Sequence, residues 1–196
     1  MNHHYEIIQR EEAYRGFAKI DRFHVRFEYY QGGMSPVVMR ECNLGRGSVA
    51  ALAYDPKEEV FVFVEQFRIG ALVAGENPWH LEIVAGLMDK EGEPPENCIA
   101  REIEEELGTP AQKLTLLHHY LGSPGGSGGR VSIYLAEIDS TKTKAYTGLI
   151  EEGEDIRVVK IPAAELPKRF ASGDLNNAMA IIAIQAYYLL KHPIPT

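Results

Sequence analysis

The sequence predicts an α/β fold built on a mixed sheet, with a small β-rich segment ahead of it. Three observations carry that expectation. Strand-like runs recur along the chain, segments of helical spacing are interleaved with them, and 196 residues suffice for one core with a small appendage.

The elements follow in order. Phe23 to Tyr29 alternates apolar and polar in the strand period, Gly32-Gly33 supplies a turn, and Val37 to Arg40 resumes an extended run. Val49 to Tyr54, closed by Asp55-Pro56, and Val60 to Val64 read as two more strands; the second, continuously apolar, suits a strand covered on both faces. Pro94-Pro95 followed by Glu96 to Leu107 reads as a helix, with proline in its first turn and Gly108 as its C-terminal cap. Leu114 to Leu121 and Val131 to Ile138 are strands around a glycine-rich SPGGSGG segment, which reads as a hinge-rich loop or a mobile connector. Ile156 to Ile161 is a strand and Pro162 to Ser172 a helix. A last helix covers Asn177 to Lys191, with His192 at its negative end and Pro193 as its stop.

Composition excludes several function classes. Twenty basic against twenty-eight acidic side chains leave a net charge of −8, with no basic stripe for nucleic acid or an anionic membrane surface. The most apolar segment, Ala178 to Leu190, falls short of a bilayer span. Cys42 and Cys98 are too few for a disulfide framework or a four-cysteine zinc site, and read as thiols of a reducing compartment. The N-terminus lacks a secretory pattern, so a cytoplasmic protein is expected.

The informative segment is GLMDKEGEPPENCIAREIEEELG, Gly86 to Gly108. On a helix, Glu102, Glu105 and Glu106 share one arc about 100° wide, and Ile99, Ala100, Ile103 and Leu107 fill the adjoining arc that would seat the helix on a sheet. Like charges at this spacing repel, and the C-terminal end of a helix disfavours anions. Hard dications offset both effects, because oxygen-only ligands suit magnesium, with manganese as the alternative. Arg101, inside the cluster, can orient a carboxylate.

Gly86, Glu93, Arg101, Glu102, Ile103, Glu105, Glu106 and Gly108 resemble the Nudix box, G-x5-E-x7-R-E-U-x-E-E-x-G-U with U a bulky aliphatic. This chain departs from it twice: six residues separate Gly86 from Glu93, and Thr109 stands at the last aliphatic position. The segments EQFRIG, NPWHLEIVAG, SPGGSGGR, EEGEDIRV and YRGF resemble the ADP-ribose pyrophosphatase branch of that family. The resemblance implies a Nudix α/β/α sandwich over residues 45–196. It implies a β-rich dimerisation domain over residues 1–44, a homodimer, and magnesium-dependent cleavage of ADP-ribose to AMP and ribose 5-phosphate.

It also implies residue roles. Glu102 and Glu106 would be the principal metal ligands, with Glu105, Glu154 and the Ala85 carbonyl completing the set and Glu93 supporting the loop. Glu152 would be the catalytic base, on an acidic loop, with Glu105 and Arg101 in the catalytic group. Arg40 and Arg68 would hold phosphate and sugar oxygens, Phe17 would stack on adenine, and Glu82 would accept from adenine or position its neighbours. Gly129 stands where the branch often carries a glutamate near the terminal ribose. Trp79 reads as packing, and His118-His119 has no third ligand at metal spacing. Two other readings accompany this one: a related nucleoside-diphosphate-sugar hydrolase acting on GDP-mannose or ADP-glucose, and a non-catalytic sensor of ADP-ribose or a nucleotide. The presence of all three helix carboxylates favours catalysis.

Overall fold

The computed structural model describes residues 3–191, the side chain of Glu152 excepted; His192 and Pro193, expected to end the last helix, lie outside the described residues. The chain divides into two compact units, Met1–Gly47 with Tyr120–Arg130, and Ser48–His119 with Val131–Thr196.

The first unit is an antiparallel sheet of β1 (Tyr5–Arg15), β2 (Lys19–Phe27) and β3 (Val38–Asn43), in that order. The alternation read at Phe23 to Tyr29 lies on β2 and runs into the turn beyond it. β1 had no such signature, because register shifts at Ile7/Gln9 and Glu12/Tyr14 break its period. Asp21 is buried and ties β1 to β2 by accepting from Arg10 Nε at 2.6 Å and from Arg15. The glycine-rich segment is bound to the end of β3: Asn43 N–H donates to Gly126 O and Gly128 N–H to Asn43 O, each at 2.9 Å. The segment read as a hinge-rich loop or a connector is thus anchored to β3 by backbone hydrogen bonds.

The second unit is built on a mixed sheet. Its strands are β4 (Ser48–Asp55), β5 (Val60–Phe67), β6 (Trp79–Glu82), β7 (Val84–Leu87), β8 (Lys113–Leu121), β9 (Arg130–Glu137), β10 (Tyr146–Thr147) and β11 (Ile156–Pro162), with β8 and β9 running at one end into the first unit. The order is β10-β11-β5-β4-β9-β8, with β6 against β5 and β7 against β4. β4 and β9 are parallel, whereas β4–β5, β4–β7, β5–β6 and β5–β11 are antiparallel. Phe61 to Val64 are fully buried, as a strand covered on both faces requires.

Helix α1 is Ile69–Val73, α2 Pro95–Leu107, α3 Leu166–Ala171 and α4 Ala178–Lys191. α2 seats Cys98, Ile99, Ile103 and Leu107 against Val49, Ala51, Val62 and Val64. α4 covers the opposite face, where Tyr187 meets Phe61 at 5.0 Å and Tyr54 at 5.6 Å between ring centroids. The result is the expected sandwich. α3 is shorter than expected at its start, because Pro162 still belongs to β11 and a turn from Pro162 O to Glu165 N–H intervenes.

Candidate active site

α2 begins at Pro95 after an extended Pro94 and stops at Gly108, whose φ of 72° a glycine adopts without strain. Its far end is fixed from the sheet, where the Thr147 hydroxyl of β10 donates to Glu106 O at 2.6 Å. One edge of α2 carries Glu102, Glu105 and Glu106, and the structure gives each a different setting. Glu106 is 5% exposed. The Glu102 side chain is mostly covered, and that of Glu105 lies nearly half in solvent.

Glu106 is the most informative of the three. Burial, then the Glu102 charge, push its carboxyl well above the usual range, and Glu154 adds to the effect. The Arg68 guanidinium and a hydrogen bond from the Ala85 N–H oppose them. Glu102 is raised as well, first by burial and against the pull of Arg101, with Glu105 and Glu154 adding to the rise. The structure thus brings Glu102, Glu106, Glu154, Arg68 and the Ala85 backbone into one electrostatic neighbourhood, with Glu105 at its rim. Glu106 Oε2 is buried with no hydrogen-bond partner. A buried carboxylate oxygen with nothing to accept from is the setting a hard cation fits. Among the described residues no three acidic, histidine or cysteine side chains already stand as a clasp for a metal. Arg101 accounts for part of this: its Nη1 lies 2.9 Å from both Glu102 Oε1 and Glu105 Oε2, drawing them to itself.

The loop before α2 carries the six residues between Gly86 and Glu93. Glu93 N–H bonds to Lys90 O at 3.2 Å, closing a turn in which Gly92 takes a φ of 76°. Beyond that turn Glu93 reaches Arg101 Nη2 at 3.4 Å. Burial works against the Arg101 charge, but Glu93, Glu102 and Glu105 hold it firmly protonated. Beneath this network burial, then the Glu93 carboxylate, push the Cys98 thiol up to about 11, as befits an inert core cysteine. Gly86, at the start of the loop, lies against Glu102: a Cβ there would collide with the Glu102 carboxyl group.

The remaining expected residues fall into both units. Arg68, just before α1, donates from Nε to Glu82 Oε2 at 2.5 Å, and Glu82 is buried at the end of β6. A cleft of about 380 Å³ opens beside this pair. Glu154 follows Gly153, and Glu152 lies in the short 3-10 turn Ile150–Glu152, its side chain outside the described residues. Arg40 and Phe17 belong to the first unit. Arg40 is exposed on β3, with Nη1 donating to Met39 O. Phe17 is 83% exposed, with the Arg46 guanidinium 5.9 Å from its ring centroid, and so is not core.

Trp79 packs edge-on against Phe67, with 5.8 Å between ring centroids, and both side chains are about half exposed. His119, given no metal role, bonds through Nδ1 to the Ser132 hydroxyl at 2.9 Å. Sequence reasoning did not single out His80, Glu76 and Asn176, which line the cleft from β6, the segment before it and the segment before α4. Nothing local marks them, because they are gathered by the fold from positions up to 100 residues apart.

A family model described as the NUDIX domain matches residues 45–177. The ADP-ribose pyrophosphatase of Haemophilus influenzae is 38% identical over 183 residues, covering 92% of this chain and 84% of that protein. The ADP-ribose pyrophosphatase of Escherichia coli K12 is 39% identical over 181 residues, covering 92% and 86%. A GDP-mannose pyrophosphatase of Escherichia coli UTI89 is 31% identical over 150 residues, covering 75% and 76%. A crystal structure of an ADP compounds hydrolase shares the fold, with a TM-score of 0.73 at 20% identity over 96% of each chain.

Proposed function

This chain belongs to the Nudix family and is a hydrolase of that family, and from that premise we propose that it cleaves the diphosphate of ADP-ribose to AMP and ribose 5-phosphate with magnesium. The observation that carries the reading is the buried, unpartnered oxygen of Glu106 among Glu102, Glu154 and Arg68. The similarity to ADP-ribose pyrophosphatases over most of the chain supports the substrate.

Glu102 and Glu106 would hold the metal, with Glu105, Glu154 and the Ala85 carbonyl completing its ligands. When bound, the dication neutralises the diphosphate, polarises the attacked phosphorus and lowers the pKa of water. Everything else falls to side chains. Arg68 and Arg40 hold phosphate and sugar oxygens through planar forks. Phe17 stacks on adenine, and Arg101 sets Glu102 and Glu105. Glu152 takes the proton of the attacking water as its oxygen bonds to one phosphorus; the bridging oxygen leaves on the other phosphate.

Residues 1–44 form the dimerisation domain in this proposal, residues 45–196 the catalytic one, and the unit in solution is a homodimer. The two unpaired cysteines support a cytoplasmic setting; no helix among the described residues is long and apolar enough to cross a membrane. A second reading, hydrolysis of GDP-mannose, has the support of the GDP-mannose pyrophosphatase relative. A panel of nucleoside-diphosphate sugars with magnesium or manganese, followed by phosphorus NMR in oxygen-18 water, separates the two and reports which phosphorus is attacked. Nucleotide binding without turnover on any diphosphate would instead identify a sensor.

A further inference from the structure

We propose that Thr147 is a positioning residue: its hydroxyl ties the stem of the acidic loop 148–155 to the last turn of α2, and thereby sets Glu154 against Glu102 and Glu106. The proposal rests on the reading as a magnesium-dependent hydrolase and deepens it.

The last carbonyls of a helix have no partner within it. At the end of α2 they are met by the segment that leads into the loop. Lys144 N–H donates to Leu107 O at 3.0 Å, and the Thr147 hydroxyl to Glu106 O at 2.6 Å. The first bond uses backbone that any residue but proline supplies; the second needs a hydroxyl on the side chain at that one position. It joins the residue whose carboxyl group is buried at the candidate metal site to the residue at which the loop departs. Thr147 pairs with Ile156 across β10 and β11, so the two ends of the loop stand side by side. Ile156 is fully buried in one core cluster with Ile99, Ile103 and Leu107 of α2, which fixes the returning end.

The loop between these ends is closed on itself. Gly148 takes a φ of 97°, and a Cβ there would stand 2.7 Å from Glu154 O, so the outgoing and returning backbones are in contact. Glu154 N–H donates to Leu149 O at 3.1 Å, and Gly153 N–H to Ile150 O at 3.0 Å. A segment bonded internally in this way shifts as a piece when its stem shifts. Its acid bears on the helix: the Glu154 charge is felt at both Glu102 and Glu106. Magnesium demands near-ideal octahedral geometry of its ligands. Here the ligands come from two elements, and Thr147 is a side chain that registers one element against the other. Loss of its hydroxyl leaves the Glu106 carbonyl without that donor and lets the stem slide along the helix end.

The test is a double-mutant cycle read by magnesium binding, taken from the rise of Tm with magnesium concentration in substrate-free protein. In Thr147→Val, which keeps the shape and loses the donor, the magnesium dissociation constant should rise about tenfold, the loss of one hydrogen bond. For ADP-ribose, kcat should fall by a similar factor, with KM held within about twofold. Thr147→Ser keeps the donor and should stay within about twofold of wild type in all three quantities. Glu154→Ala should itself weaken magnesium binding. Adding Thr147→Val to it should change the constant by less than about twofold, because the ligand that the hydroxyl positions is gone. Thr147→Ala replaces Thr147→Val if the valine variant loses its native circular dichroism. A lower Tm in chelator with unchanged magnesium affinity would make Thr147 a structural tie alone and overturn the proposal. A tenfold rise repeated in the Glu154→Ala background, or no rescue by serine, would overturn it as well. A wild type with neither a magnesium-induced rise in Tm nor turnover of any nucleoside-diphosphate sugar overturns the underlying reading instead.

Discussion

Glu106 concentrates the site's chemistry in one carboxylate. Its folded pKa is raised, first by burial and then by Glu102, from an ordinary 4.5. Above that raised value the folded chain holds a charge its surroundings disfavour; as pH falls through it toward 4.5, protonation adds stability. Chelator-treated protein should therefore gain Tm as the pH is lowered, and Glu106→Gln should flatten the profile. Saturating magnesium should raise wild-type Tm and leave the variant nearly unchanged, with turnover down about a hundredfold or more. A magnesium-induced rise of the same size in both proteins would remove Glu106 from the metal site. Gly86 makes a second test at this scale. Because a Cβ there meets the Glu102 carboxyl, Gly86→Ala should lower kcat at least about tenfold. Circular dichroism should stay native, since the collision is with a movable side-chain end. Unimpaired turnover would show that Glu102 tolerates displacement.

At the scale of elements, the turn from β4 into β5 shows how a buried acid holds the scaffold. Asp55 is 3% exposed, and burial alone would raise its pKa. Hydrogen bonds from the Ser140 N–H and hydroxyl, at 2.7 and 2.8 Å, and from Glu58 and Lys57 bring it down to about 2. A depressed carboxyl stabilises the fold above its unfolded value of 3.8 and loses that contribution as pH falls toward about 2. Asp55→Asn should cost roughly 2 kcal/mol at neutral pH in urea titrations, with the difference from wild type shrinking in that acid window. A constant difference down to about pH 2 would rule the charge out as the cause. The elements also show what a sequence discloses. α2 was legible to its caps because proline, helical spacing and Gly108 agree locally. β6 and β7 were not: four residues each, they exist through pairing with β5 and β4. α1 buries none of its residues and has no amphipathic signal to read. The acidic edge could be found from spacing, whereas the cleft could not, since Glu76 and Asn176 meet only after folding.

For the whole molecule, the three-stranded sheet of the first unit presents a problem that a second copy would solve. Register places Tyr5 opposite Phe27, and Ile7 in one row with Val25 and Val38, so these side chains share one face. Tyr5 is 69% exposed and Ile7 56%. The opposite face is ionic: Arg22 bridges Glu11 and Glu41, and Arg26 lies 3.8 Å from Glu6. In the homodimer proposed above, this apolar row would be the face through which two copies pair. Pairing two copies through it removes the exposure symmetrically, because an isologous contact sets the same patch against itself. Light scattering should therefore give about twice the 21.9 kDa of one chain at micromolar concentration. Ile7→Glu should shift the protein to monomer by placing two like charges in the contact. Native Tm in that variant would locate the effect at the contact. A wild type that stays monomeric throughout would leave the row without the partner assigned to it.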